Sequence, residues 1–144
     1  FEIHDGMKLA VHRKGATRAF PAGHPELTGV FRQTGQPVIV PGDMGRYSFI
    51  MKGGDKSMEL SLGSACHGAG RKLSRKAAVQ HARGRNIATE LQADVIFVMA
   101  SDKMSLYEEM PEAYKDVEGV ADIVDSLDMA KKVVKLKPLC VIKG

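Results

Sequence analysis

The run Cys66-His67-Gly68-Ala69-Gly70-Arg71 sets an imidazole between a thiol and a glycine-rich turn, and Arg75 follows Arg71 at the spacing of one helical turn. An imidazole titrates at about pH 6.5 in solution, so at neutral pH it is an available nucleophile that can attack phosphorus to give a phosphoramidate. Gly68 and Gly70 let the backbone adopt positive φ and approach a ligand closely. A helix beginning within residues 64–71 would add unpaired N–H groups and a positive dipole end. The expectation is a phosphate cradle with His67 inside it. Cys66 raises a rival chemistry, thiolate attack on phosphorus as in the cysteine phosphatases. That family places five residues between its cysteine and arginine, and only four separate Cys66 from Arg71.

The charge distribution favours a polyanionic partner. Residues 1–85 carry 14 Lys and Arg against 6 Asp and Glu, while residues 86–144 carry 7 against 11. No acid occurs between Glu59 and Glu90, where Arg71, Lys72, Arg75, Lys76, Arg83 and Arg85 all fall. Such a stretch attracts polyanions, although a solvated helix face also produces charge runs. His4, His12, His24 and His81 have no metal-ligand spacing, and Cys66 and Cys140 lie too far apart for a paired zinc motif. Neither a Walker lysine nor a dinucleotide fingerprint is present.

These groups need a scaffold, and the residue pattern outlines one. Residues 7–12, 37–40, 47–51, 58–62 and 94–100 read as strands, the last of them buried. Residues 71–83 read as an amphipathic helix ended by Gly84, and residues 111–117 and 119–130 as two more, with Val120, Ile123, Val124 and Leu127 inward. Residues 21–36 read as a long surface loop and 131–143 as a closing strand. A second glycine-rich turn, Pro41-Gly42-Asp43-Met44-Gly45, joins two of the strands. The mixture is α+β, with mixed or antiparallel sheets and helices. At 144 residues, 44% hydrophobic and 26% charged, residues 1–144 are expected to belong to a single domain. The longest apolar run, residues 95–100, is too short to cross a bilayer, so a soluble, cytoplasmic protein with no membrane partner is expected. The start Phe1-Glu2-Ile3-His4 has no initiator methionine, from which a preceding segment is expected.

Four blocks carry a resemblance. They are residues 12–21, residues 35–45, Cys66 to Arg71 with Ser74-Arg75, and Leu136-Lys137-Pro138-Leu139 with Val141-Ile142-Lys143. In this order they resemble the C-terminal part of the RtcB-type RNA-splicing ligases over essentially the whole chain, and the block around His67 is the most specific. The resemblance implies an RtcB-like fold and an enzyme that joins an RNA 3′-phosphate or 2′,3′-cyclic phosphate to a 5′-hydroxyl with GTP and two manganese ions. It implies that His67 is guanylylated, that GMP passes to the RNA 3′-phosphate, and that the 5′-hydroxyl then displaces GMP. The implied partners are tRNA halves or other cleaved RNA ends, the remainder of the parent ligase, and the activator archease.

Carried over by position, the resemblance gives Pro41, Gly42, Asp43, Met44 and Ser48 to the guanine nucleotide. It sets His67, Gly68, Ala69 and Gly70 around the phosphate and ribose, and Lys143 at the base. Lys14, Arg71 and Arg75 match positions that bind RNA or its terminal phosphate. Two departures stand out. Asp43 occupies a position where the family often has Ser or Thr, and a carboxylate beside a nucleotide phosphate is unfavourable unless it faces away or meets a cation. The family's manganese ligands lie upstream of the matched region, so no metal ligand is expected in this chain, and a non-catalytic RNA- or nucleotide-binding module is the alternative reading.

Overall fold

Short strands and short helices alternate along the chain, and loops carry every candidate site residue except Ser48, Arg75 and Lys143. The computed structural model describes residues 1–143. In chain order the elements are β1 (Glu2–His4), β2 (Met7–Leu9), β3 (Ala16–Arg18), α1 (Gly29–Thr34), β4 (Pro37–Val40), β5 (Ser48–Gly53), α2 (Ser57–Ser61) and β6 (Ser64–Cys66). There follow α3 (Arg75–His81), α4 (Ile87–Ala93), β7 (Phe97–Ala100), α5 (Lys103–Glu108), a 3₁₀ turn at Pro111–Ala113, α6 (Val117–Ser126), β8 (Ala130–Leu136) and β9 (Cys140–Lys143). The expected mixture of helices with small, mainly antiparallel sheets is present; β7 and β9 form the one parallel pair among the described residues.

Two cores result. Strands β4, β5 and β8 make an antiparallel sheet whose alternate residues Val38, Val40, Phe49 and Met51 point to one face. Val117, Ala121 and Val124, spaced along one side of α6, join that core. The second core gathers Ala78 and Ala82 with Ile87, Leu91, Ile96, Leu106, Met110 and Val141, so α3, α4, α5 and β9 share it. Burying each of the larger side chains contributes about 1.5–3 kcal/mol. Ala69 belongs to the first core and Met44 to the second, which ties the two glycine-rich loops to different bodies of packing.

Several expectations change. Residues 58–62 lie in and just after helix α2 rather than forming a strand; their alternating Leu60 and Leu62 are exposed, and Leu62 ends the turn in the left-handed conformation. Residues 64–66 form strand β6, paired with β3, so no helix starts there. Helix α3 begins only at Arg75, because the Ser74 side chain caps it by accepting from the Ala77 N–H at 3.1 Å. Arg71 is therefore not on that helix; it lies opposite Tyr114 in an antiparallel bridge. Strand β7 is shorter than residues 94–100 and mostly exposed. Residues 111–117 shrink to the 3₁₀ turn, and the loop at 21–36 contains α1. In α6 Val124 points inward as expected, but Ile123 is 62% exposed and Leu127 also faces out. No helix of the described residues is long and apolar enough to cross a membrane.

Candidate functional site

His67 follows directly on the last residue of β6, at the point where the chain leaves the sheet, and its backbone N–H donates to the Gly15 carbonyl at 3.4 Å. That bond brings the loop before β3 against the loop after β6. The imidazole is exposed and lines a cavity of about 410 Å³ with Gly15, Pro41, Gly42, Gly68, Ala69, Gly70 and Tyr114. Gly68 (φ +155°) and Gly70 (φ +74°) both take the positive φ the sequence called for, and a Cβ on Gly68 would stand 3.1 Å from the Pro41 carbonyl oxygen. The backbone N–H groups of Ala69 and Gly70 donate to no backbone carbonyl among the described residues. Donors of that kind, beside an exposed imidazole, suit an anion.

A second cavity of about 360 Å³ adjoins the first, sharing Pro41, Gly42 and Tyr114 with it. Its other walls are Asp43, Met44, Ser48, Glu109, Pro138, Cys140, Val141, Ile142 and Lys143. All the residues carried over for the guanine nucleotide thus line these two adjoining cavities, together the recess, each in the size range of small-molecule sites. Ser48 also shapes the loop, since its Oγ accepts from the Gly42 N–H at 3.2 Å. Asp43 meets a cation, Arg46, at 2.6 Å, and its side chain is 0% exposed.

Sequence reasoning missed Tyr114, Glu109 and Arg46. Arg71 links the first two: one Nη donates to Glu109 at 3.1 Å and to the Tyr114 hydroxyl at 3.0 Å, the other to the Glu108 carbonyl at 2.6 Å, and Nε to the Leu73 carbonyl at 3.0 Å. Its guanidinium carbon also lies 4.9 Å from the centre of the Tyr114 ring. Burial, followed by the hydrogen bond to Glu109, pushes the Tyr114 phenol above its ordinary pKa, so it keeps the proton it donates to that carboxylate. The available signal was slight. A lone tyrosine 47 residues from the histidine shows nothing without the Arg71–Tyr114 bridge.

The basic stretch finds its counter-charges in space. Arg71 pairs with Glu109, Arg75 approaches Glu108 at 3.5 Å, and Arg85 pairs with Glu90 and Glu112. The side chain of Arg75 is nonetheless 70% exposed, and Lys14, Lys72, Lys76 and Arg83 are exposed with no ion-pair partner among the described residues. Arg71 thus has its donors engaged within the protein, whereas Lys14 and Arg75 can reach a phosphate from outside. The acidic surplus of residues 86–144 sits in part on this same face.

Burial pushes the Cys66 thiol above its usual pKa, which weakens it as a nucleophile and leaves His67 as the better candidate. His4 is buried and bonded to Glu2, and His24 stacks on Phe20 at 3.7 Å; both have structural surroundings. Among the described residues no three His, Cys, Asp or Glu side chains converge where they could hold a metal ion. The donors present therefore do not fit a manganese site.

The family described as tRNA-splicing ligase RtcB matches residues 1–144 in full. This chain belongs to the RtcB family. Proteins named tRNA-splicing ligase RtcB from Methanococcus maripaludis and Thermococcus kodakarensis are 51% and 47% identical to it, over 97% and 96% of the chain. A third RtcB, from Archaeoglobus fulgidus, is 48% identical over 100% of it. The chain spans about 30% of the length of these RtcB relatives.

Proposed function

We propose that this chain carries the guanylylation site of a GTP-dependent RNA ligase that seals 3′-phosphate or 2′,3′-cyclic phosphate ends to 5′-hydroxyl ends, as in tRNA splicing and RNA repair. The observation that carries the reading is the recess itself: an exposed imidazole at one end, Lys143 at the other, and glycine backbone between them. The base sits toward Lys143 and the α-phosphate at Ala69 and Gly70. An imidazole nitrogen of His67 attacks the α-phosphorus of GTP, forming an N–P bond as the α–β anhydride breaks and pyrophosphate leaves. An oxygen of the RNA 3′-phosphate then takes the GMP from His67. The 5′-hydroxyl attacks the activated 3′-phosphorus, GMP leaves, and the hydroxyl proton passes to solvent or a base. Activation is needed because a phosphate monoester is a poor electrophile until a second phosphoryl group makes a leaving group of it. RNA ends approach over Lys14 and Arg75.

Manganese, RNA, archease and the remaining length of the ligase are partners of the whole enzyme in this reading, with metal ligands outside these 144 residues. A binding-only role for the chain by itself is favoured by one observation, the lack of a converging metal-ligand set among the described residues. Labelled GTP and manganese added to the intact protein test the main reading. An acid-labile adduct that His67→Ala abolishes and Cys66→Ala keeps is expected; label surviving in the His67 variant overturns it.

A further inference from the structure

We propose that Asp43 and Arg46 are positioning residues, a clamp that fixes Tyr114 at the junction of the two cavities; the inference rests on the nucleotide reading above. Asp43 Oδ1 accepts the N–H groups of Gly45 and Arg46 at 3.0 and 2.9 Å, and Oδ2 accepts from Arg46 Nε at 2.6 Å. The carboxylate is thereby committed and withdrawn from solvent, so it points no charge at a phosphate. Its partner reaches the segment after α5. One Nη of Arg46 donates to the carbonyls of Pro111, Tyr114 and Lys115 at 3.0, 3.2 and 3.1 Å.

Backbone bonds to the loop after β6 tie part of this segment, Lys72 and Leu73 N–H donating to the Ala113 carbonyl and Lys115 N–H to the Gly70 carbonyl, and Arg46 adds the carbonyls on either side of Ala113. The segment contains a three-residue 3₁₀ turn, and residues 114–116 lie outside any helix or strand. Tyr114 is thus gripped at its backbone by Arg46 and at its hydroxyl by Arg71. Because Tyr114 is one of the three residues common to both cavities, its position sets the shape of the recess between His67 and Lys143. Arginine suits the task and lysine does not. Only a planar fork can meet a carboxylate through Nε while an Nη meets carbonyls on another segment. A serine or threonine at position 43 would leave Arg46 with only the longer contact to Asp116, 3.9 Å from its other Nη, so the aspartate and the arginine act as a unit.

Arg46→Lys and the milder Asp43→Asn, made in the intact protein, test this. Backbone amides of Ala113, Tyr114 and Lys115 should exchange with deuterium faster in both variants, with or without nucleotide. Guanine-nucleotide affinity, read by calorimetry with GTP, should fall roughly tenfold, the scale of one or two lost charged hydrogen bonds. For adduct formation KM should rise with kcat little changed. On a Tyr114→Ala background the Arg46→Lys effect on affinity should disappear, which a merely structural role does not predict. Unchanged amide exchange overturns the clamp, and so does an affinity loss that persists undiminished without Tyr114. Wild-type protein that binds no guanine nucleotide instead overturns the nucleotide reading, and the exchange result still decides whether the pair holds residues 113–115.

Discussion

Asp43 and Arg46 meet at 2.6 Å in a pair whose carboxylate is wholly shut off from water and whose guanidinium donates to the backbone of the Tyr114 segment. From sequence, a carboxylate in a loop proposed to hold a nucleotide looks unfavourable. Its electrostatic cost is offset by a cation three residues later, and the pair links the loop between β4 and β5 to the segment following α5. Neither the partner nor the bridge can be seen in the string Pro41-Gly42-Asp43-Met44-Gly45-Arg46, because an arginine at i+3 in a loop has no fixed direction.

Arg71 and Arg75 should part company experimentally. Removing Arg71 strips Glu109 and the Tyr114 hydroxyl of their shared donor, and losses of that kind cost about 2 kcal/mol. Urea unfolding of Arg71→Ala should show that loss, and Arg71→Lys should recover little of it. Arg75→Ala and Lys14→Ala should leave stability nearly unchanged and each flatten the salt dependence of RNA binding by about one unit of slope. An unmoved slope in both would take the RNA contact away from this face.

The sequence-to-structure relation was uneven for physical reasons. Strand β4 and the inward residues of β5 were legible because Val38, Val40, Phe49 and Met51 alternate cleanly against a polar or exposed face. Residues 58–62 alternate too, but five residues cannot separate period two from a single helical turn. Ile123 and Leu127 misled because α6 carries apolar side chains on both of its sides. The turns at Gly68 and Gly70 were legible because a positive φ is a local demand that glycine meets. Tyr114, Glu109 and Arg46 were not, since they act through contacts spanning 38 to 69 residues.

An acid-sensitive tie joins the N-terminal strand to the turn before β6. Arg13 donates to both oxygens of Glu2 at 2.6 and 2.8 Å, to Ser64 Oγ at 2.8 Å and to the Leu62 carbonyl at 2.9 Å. The guanidinium holds the Glu2 carboxyl down from 4.5 to about 2, with both side chains under 15% exposed. A lowered carboxylate pKa stabilises the fold above the unfolded value, and that contribution is lost as pH falls from about 4.5 towards 2. After allowance for solvent screening it is on the order of 2 kcal/mol. Chemical denaturation of Glu2→Gln should therefore show lower stability at pH 7 and a shallower decline between these limits; an identical acid limb refutes the tie.

The two cysteines should report on occupancy of the recess. Cys140 is exposed and lines the second cavity, while burial holds the Cys66 thiol in its protonated form. Iodoacetamide at pH 8 should label Cys140 well before Cys66, and saturating GTP should slow Cys140 labelling severalfold. Equal rates with and without GTP would place the nucleotide elsewhere.

Gly68 and Gly70 separate backbone strain from loss of the site. Both have positive φ, but a Cβ at position 70 meets nothing within 4 Å, whereas one at position 68 presses on the Pro41 carbonyl. Gly70→Ala should thus cost about 1–2 kcal/mol of stability through its backbone alone. Gly68→Ala carries strain and also pushes against Pro41, one of the three residues common to both cavities. Its larger effect should be on function, with KM for GTP in adduct formation raised at least fivefold beyond any change in Gly70→Ala. Should the two variants lose adduct formation equally while differing in stability, the close approach of Gly68 to Pro41 has no part in shaping the recess.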